Sequence, residues 1–338
     1  MTRDIQGYRL SIEAIAIAVL LLNLSSAHAE YQAPKTLFGH PNLQGIWSNS
    51  TITPLERPYY ATSATISKHQ AESWQQRGNA YIAISEAPID PNAPAPTTAD
   101  PEIGYESFWV DRGTDLAIVD GKIRTSLISY PSDGKIPYKT TTETKLSIFL
   151  SKIQSGFDHP EQRPPGERCL VGYGSSGGPP MLPVLYNNHI QIVQNKDHVL
   201  IHVEMNHDAR IIRLNAEHSP LPTWLGDSIG EWQGQTLVVT TKHFNAGQDC
   251  RASLSHWFCM SENATITERF TRIAKNEILY QFEVDDEESF TDVWRGEIPL
   301  RAAAGPIYEY ACHEGNYGME NILSGARQQE GENNHAHY

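Results

Sequence analysis

From residue 190 onward the chain alternates between apolar and polar positions. In EILYQFEV, Ile278, Tyr280, Phe282 and Val284 share one face, which is the two-residue period of a half-buried strand. Similar short runs predict strands near 190–194, 198–206, 209–215, 229–233, 235–243, 264–273, 277–285 and 290–298. Between them lie the turn signals Asn206-His207-Asp208, Gln233-Gly234 and Lys275-Asn276. No helical pattern intervenes, so consecutive strands are expected to pair as an antiparallel meander. A meander of this length tends to close into a barrel, because closure removes its exposed edges. The predicted class is mainly β, a barrel with a few peripheral helices, and a barrel of about eight strands can enclose one small ligand.

The first half reads differently. Residues 30–60 are Pro-rich and irregular apart from a short strand opening at Leu43-Gln-Gly-Ile-Trp47. Helical composition behind a Ser/Thr cap predicts a helix from Thr65 to about Ala83, and a second spans Thr142 to about Gln154. LAIV and KIRTSLISY flank Asp120-Gly121, a pair that accepts positive φ, and predict a hairpin over 116–130 with a further turn at Ser132-Asp133-Gly134. Residues 87–102 and 158–168 are expected to be surface loops. The organisation predicted is one barrel domain over 30–338. Residues 30–165 embellish it, 166–327 form the strand-rich core, and 328–338 are a flexible tail.

At the N-terminus, Arg3 and Arg9 precede an apolar run from Ala14 to Leu22 and the small-x-small site Ala27-His28-Ala29. That order predicts a cleavable signal peptide over 1–29 and a periplasmic or secreted protein. The run is too short for a permanent span, which needs about 20 residues, so no membrane insertion is expected. The formal charge is −14, and the charges of the leader cancel. An acidic chain is a poor partner for nucleic acid or an anionic membrane. A small molecule is the expected partner, with a homo-oligomer left open. Export also makes nucleotide-driven chemistry implausible, and no cofactor is expected. Four cysteines in an exported chain suggest two disulfides with three pairings. Cys250 and Cys259 are near enough in sequence to staple one loop, leaving Cys169 for Cys312. Other pairings, or a buried free thiol at Cys169 or Cys312, stay open.

Two constellations suggest chemistry. Along 198–206, His202, Glu204 and Asn206 alternate with Ile201, Val203 and Met205, and the return strand carries Arg210 and Arg213. If Glu204 points inward, it is a carboxylate inside an apolar barrel near a guanidinium, and buried ionisable groups of that kind are candidate acids and bases. The competing explanation is that Glu204, Asp208 and the arginines only hold the hairpin together. The second constellation is Tyr308-Glu-Tyr310-Ala-Cys312-His313-Glu314-Gly-Asn316-Tyr317, where an imidazole that can shuttle protons sits among phenols. Its competing explanation is a helix start capped by polar groups. The candidate catalytic set is Glu204, His207, Arg210, Arg213, Tyr310, His313 and Glu314. Trp47, Tyr186, Trp224 and Trp232, with Asp208 and Asn316, are expected to line a flat substrate.

Gly172-Tyr-Gly174-Ser-Ser176-Gly177-Gly178 matches both GxGxxG and GxSxG. Either chemistry needs a strand before and a helix after. Pro179-Pro180 and Pro183 follow instead, so the segment reads as a Gly-rich loop at a barrel mouth. No HExxH or CxxC is present, and the adjacent pairs His207-Asp208 and His313-Glu314 are poor metal-ligand spacings. No metal site is expected, although a metal-dependent hydrolase remains a third reading.

Longer strings carry a resemblance. PNLQGIWSN, GERCLVGYGSSGGPPMLPVLYNN, EMNHDARIIRLN, WLGDSIGEWQGQTLVVTT, ERFTRI and YEYACHEGNYGMENILSGAR together resemble a bacterial family of exported proteins with a calycin- or lipocalin-like barrel. Gly45-Ile-Trp47 is similar to the GxW that opens lipocalins. Distant similarity to lyases of lignin-derived aromatic dimers implies a cofactor-independent lyase or isomerase. Its substrate would be hydrophobic or aromatic and held in the barrel cavity. A ligand-binding protein with the same barrel is the alternative. The loop from Cys250 to Cys259 is longer than the family pattern.

Overall fold

The computed structural model describes residues 31–85, 110–111, 113–172, 174–248, 250–254 and 256–335. The proposed leader over 1–29 and the loop at 87–102 lie outside them. Fifteen strands are found among the described residues. β1 (Gly45–Ser48), β6 (His189–Gln194), β7 (His198–Val203), β8 (Ala209–Leu214), β9 (Asp227–Gln233), β10 (Thr236–Lys242), β13 (Thr265–Ala274), β14 (Glu277–Asp285) and β15 (Trp294–Ala302) follow one another in a single sheet. β1 also pairs with β15, at Trp47↔Ala302 and Ser48↔Arg301, so the nine strands close into a barrel.

Alternation decides which residues go inside. Ile278, Tyr280, Phe282 and Val284 are all buried, as their spacing predicts, and Val199, Ile201 and Val203 of β7 are buried with them. They share one core with Trp47, Phe270, Trp294 and Ile298. The meander is not wholly antiparallel. β8 and β9 run parallel, at Arg213↔Ile229 and Leu214↔Gly230. Their link, 215–226, is too long and too Pro-rich for a hairpin turn. Asp227, the first residue of β9, accepts from Arg213 Nη2 at 2.8 Å and from the Ser219 N–H at 3.0 Å. These bonds hold the returning chain against the end of β8.

The remaining strands lie outside the barrel. β2 (Thr65–Ile66), β3 (Ile118–Val119) and β4 (Lys122–Arg124) form a small sheet around the Asp120-Gly121 turn, and β5 (Ile128–Tyr130) extends the barrel sheet beside β15. The two predicted helices are α1 (Lys68–Ser85) and α2 (Thr140–Ser155). The segment read as a stapled loop is a hairpin, β11 (Cys250–Ser253) and β12 (His256–Cys259), with Cys250 directly opposite Cys259. The predicted strand at 290–298 instead spans Trp294–Ala302. Asp286 gathers the Ser261, Glu288 and Ser289 N–H groups into a turn just before it. A third helix, α3 (Tyr317–His335), runs through most of the stretch expected to be a flexible tail.

Both disulfides follow the pairing that spacing favoured, Cys250–Cys259 and Cys169–Cys312. The second closes a separation of 143 residues and ties the segment before α3 to the loop before β6. No helix among the described residues is long and apolar enough to cross a membrane.

Candidate functional site

The barrel interior is filled. Trp47, Phe258, Phe270, Tyr280 and Trp294 are almost fully buried there, so Trp47 is a core residue and not a wall of a ligand cavity. The Gly-rich loop closes one mouth. Ser175 N–H and Leu254 N–H bond carbonyls across to β11 and to Pro183, and Met181 and Leu182 are wholly buried among the barrel side chains. The Met181 N–H donates to Tyr280 Oη at 2.9 Å, which ties the loop to the barrel interior. Ser176 Oγ has no hydrogen-bond partner among the described residues, and no helix follows it to supply an oxyanion hole.

Inside, Arg210 meets a carboxylate that sequence reading did not single out. Its Nη1 and Nη2 donate to the two oxygens of Glu268, at 2.7 and 2.9 Å, and Tyr280 Oη donates to Glu268 Oε1 at 2.8 Å. Glu268 lies between Ile266 and Phe270 on the inward face of β13, so its position was legible from the alternation in ITERF. Burial would discharge Arg210, but the Glu268 charge outweighs it and raises its pKa. Burial, and then Glu268, push the Tyr280 phenol far up, so it remains a donor.

Glu204 takes the opposite face. Parity places Val203 inward, and the next residue turns its carboxylate to the outer rim. There Oε2 accepts from His189 Nδ1 at 3.0 Å and Oε1 from the Tyr308 N–H at 3.0 Å. Expected proximity of Glu204 to Arg210 or Arg213 is therefore not found. Arg210 is committed to Glu268, while Arg213 belongs to an outer network with Asp227 and His218.

Two residues on, the chain turns through left-handed backbone at both Asn206 (φ 59°) and His207 (φ 53°). Such consecutive non-glycine residues are strained, and strain of this kind is retained where other contacts over-determine it. Here the Asn206 Nδ2 donates to Asp208 Oδ1 at 3.1 Å, and His207 Nε2 accepts from the Tyr310 N–H at 3.0 Å. The segment 306–310 thus lies as a strap, held by Glu204 at Tyr308 and by His207 at Tyr310. Between strap and barrel is an open groove of about 590 Å³, lined by Ile46, Gln191, His202, His207 and Pro306–Glu309. His202 and His207 stack across it, with ring centroids 5.9 Å apart. Burial, and then the neighbouring His207, lower the pKa of His202 and favour its neutral ring. Because His207 Nε2 accepts a bond, its neutral ring carries the proton on Nδ1.

Asp208 is buried at the junction of strap and mouth, its Oδ2 accepting the Gly172 N–H at 2.6 Å. A side chain at Gly172 would meet that same oxygen and Met205, so only glycine fits. Burial raises the Asp208 pKa.

Other expected site residues are structural. Asn316 caps α3, accepting the Met319 N–H and donating to Glu167 O, so the capping explanation of that cluster holds for it. His313 and Glu314 are exposed in the turn that precedes it. Trp232 stacks on His40 and, like Tyr186, packs against the core, while Trp224 packs near Gly247. Of the predicted set, the strap unites Glu204, His207, Tyr310 and Asp208. His189 and His202 were missed as site residues, although the alternation places His202 opposite the core. No three His, Cys, Asp or Glu side chains among the described residues converge as metal ligands. Neither a family model nor a curated protein sequence matches the chain.

Proposed function

We propose that this protein is an exported small-molecule enzyme carrying out acid/base elimination or isomerisation on an apolar, aromatic substrate, and that it does so in the groove under the strap. The observation that carries this reading is the stacked histidine pair. His202 has a depressed pKa and no hydrogen-bond partner among the described residues, so its lone pair is available as a base at neutral pH. His207 presents Nδ1–H as a donor for a developing oxyanion, held there by the Tyr310 amide. Ile46, Pro306 and Ile307 supply apolar walls for a flat ring. Export is supported by the Ala27-His28-Ala29 site and by two disulfides, which persist in oxidising compartments.

A second reading is a ligand-binding protein. It is favoured by the use of Glu204 and His207 Nε2 to hold the strap, which leaves them less free for chemistry. One experiment separates the two. Purified protein is incubated in deuterium oxide with aromatic compounds bearing an acidic C–H beside a leaving group, and exchange or elimination is followed by NMR. The enzyme reading expects turnover that falls at least about 100-fold in His202→Gln. Binding without exchange in the unmodified protein would replace it with the second reading.

A further inference from the structure

Arg251 lies in β11, pinned by the Cys250–Cys259 bridge, and is 3 % exposed. Its Nη1 donates to Pro179 O at 2.7 Å, but Nε and Nη2 have no hydrogen-bond partner among the described residues. A buried polar group left unpaired is costly, and a charged one more so. The two free donors are adjacent on one edge of the guanidinium plane, the edge that receives a carboxylate side-on.

The same chain shows what such an edge takes when it is filled. Arg163 is also buried, and its Nη1 likewise donates to backbone carbonyls, Ile153 O and Gly156 O. Its Nε and Nη2 then grip the two oxygens of Glu167, at 2.8 and 3.1 Å. Arg251 has the first half of that arrangement and, among the described residues, lacks the carboxylate. In place of one is a cavity of about 30 Å³, lined by Arg251, Gln248, Gly172 and Gly174, with Phe149 and Trp257 as an apolar wall. That volume exceeds the roughly 10–15 Å³ needed for one water.

We propose that this cavity binds the carboxylate of a small monocarboxylic acid, side-on at Arg251 Nε and Nη2, with the acid's apolar remainder against Phe149 and Trp257. The neighbouring charges limit the ligand to a monoanion. Arg210 is matched by Glu268. Asp208 is near enough to act on Arg251 electrostatically, yet its oxygens are bonded to Gly172 and Asn206. Arg251 is the one charged side chain among the described residues that line the cavity, and Asp208 offsets it only in part, so a single negative charge suits the site better than two. The site is separate from the histidine groove and does not depend on the enzyme reading.

The test uses the intact oxidised protein with acetate and 4-bromobenzoate, measured by calorimetry, with methylammonium and inorganic phosphate as controls. Expected is one carboxylate bound per chain, and neither control bound. Arg251→Lys keeps the charge but not the fork and should weaken binding about tenfold or more, while Gln154→Ala on α2 leaves it unchanged. A crystal soaked in 4-bromobenzoate provides a readout that requires no variant, with the bromine signal expected beside Trp257. Water alone along the Nε–Nη2 edge, equal binding by the Lys variant, or no heat with either carboxylate overturns the proposal.

Discussion

Arg210 and Arg251 are both buried and close enough to repel one another, yet the protein serves them in opposite ways. Arg210 points into the barrel and spends both terminal nitrogens on Glu268, which in turn accepts from Tyr280. Arg251 stands at the plugged mouth with a single carbonyl as its hydrogen-bond partner among the described residues. The difference shows in their pKa values. Arg210 is raised by its carboxylate, whereas burial and then Arg210 bring Arg251 down to about 9. A charge matched by side chains of its own chain is scaffold. One whose donors no described residue takes is the one proposed above to receive a ligand.

The largest effect expected from this contrast comes from the closed pair. Glu268→Leu strands a buried guanidinium and the Tyr280 hydroxyl, and should cost about 3–5 kcal/mol of stability, read from the urea midpoint. The double variant Arg210→Met/Glu268→Leu should recover most of that loss, because replacing a whole buried pair by apolar groups is often neutral. If the double variant is as unstable as the single, the pair is not the unit it is described to be.

Arg251→Met should differ in sign. In carboxylate-free buffer it removes a buried charge that Asp208 offsets only in part, against the loss of one bond to Pro179 O and of its packing over Phe244. Stability is expected to lie between no change and a gain of about 2 kcal/mol. A loss as large as that of Glu268→Leu would erase the distinction between the two arginines.

How much of this was legible in the sequence follows from the same physics. Alternation is a local property, so the barrel strands from β6 onward, the inward face of β14 and the closure of the sheet were readable, but the β11–β12 hairpin was not. The parallel step from β8 to β9 was not, because it rests on Asp227 meeting Arg213 and Ser219 across a long link. Site residues divide in the same way. Glu204 and His207 were singled out by composition, but which partner each takes depends on the strap returning from residues 308–310, about a hundred positions away. Parity alone would have turned Glu204 outward, once β7 was known to end at Val203. Arg251 was passed over because it sat in what read as a stapled loop, and only the register of β11 against β12 makes it a buried group.

A smaller effect is expected at the strained turn. His207→Gly relieves left-handed backbone worth about 1 kcal/mol and loses a bond of similar size to the Tyr310 N–H, so stability should change by less than about 1 kcal/mol. Turnover in the groove should nevertheless fall, because the Nδ1–H donor is gone. A variant that unfolds, or one that keeps full turnover, would mean that the strain serves the fold and not the groove.

The smallest effect, and the sharpest for the groove, is the titration of His202. Burial comes first and the neighbouring His207 second in lowering its pKa below the ordinary 6.5. The unfolded chain therefore takes up the proton before the folded one as pH falls. The stability associated with His202 is complete above 6.5 and is lost as pH drops from there toward the folded pKa. Imidazole NMR should place the His202 midpoint below 6.5, and the acid limb of turnover should coincide with it. In His207→Gly the midpoint should move part of the way back, since repulsion is removed and burial persists. A midpoint at or above 6.5 in the unmodified protein would leave His202 protonated near neutrality. The groove would then hold a cation where the proposed chemistry needs a base.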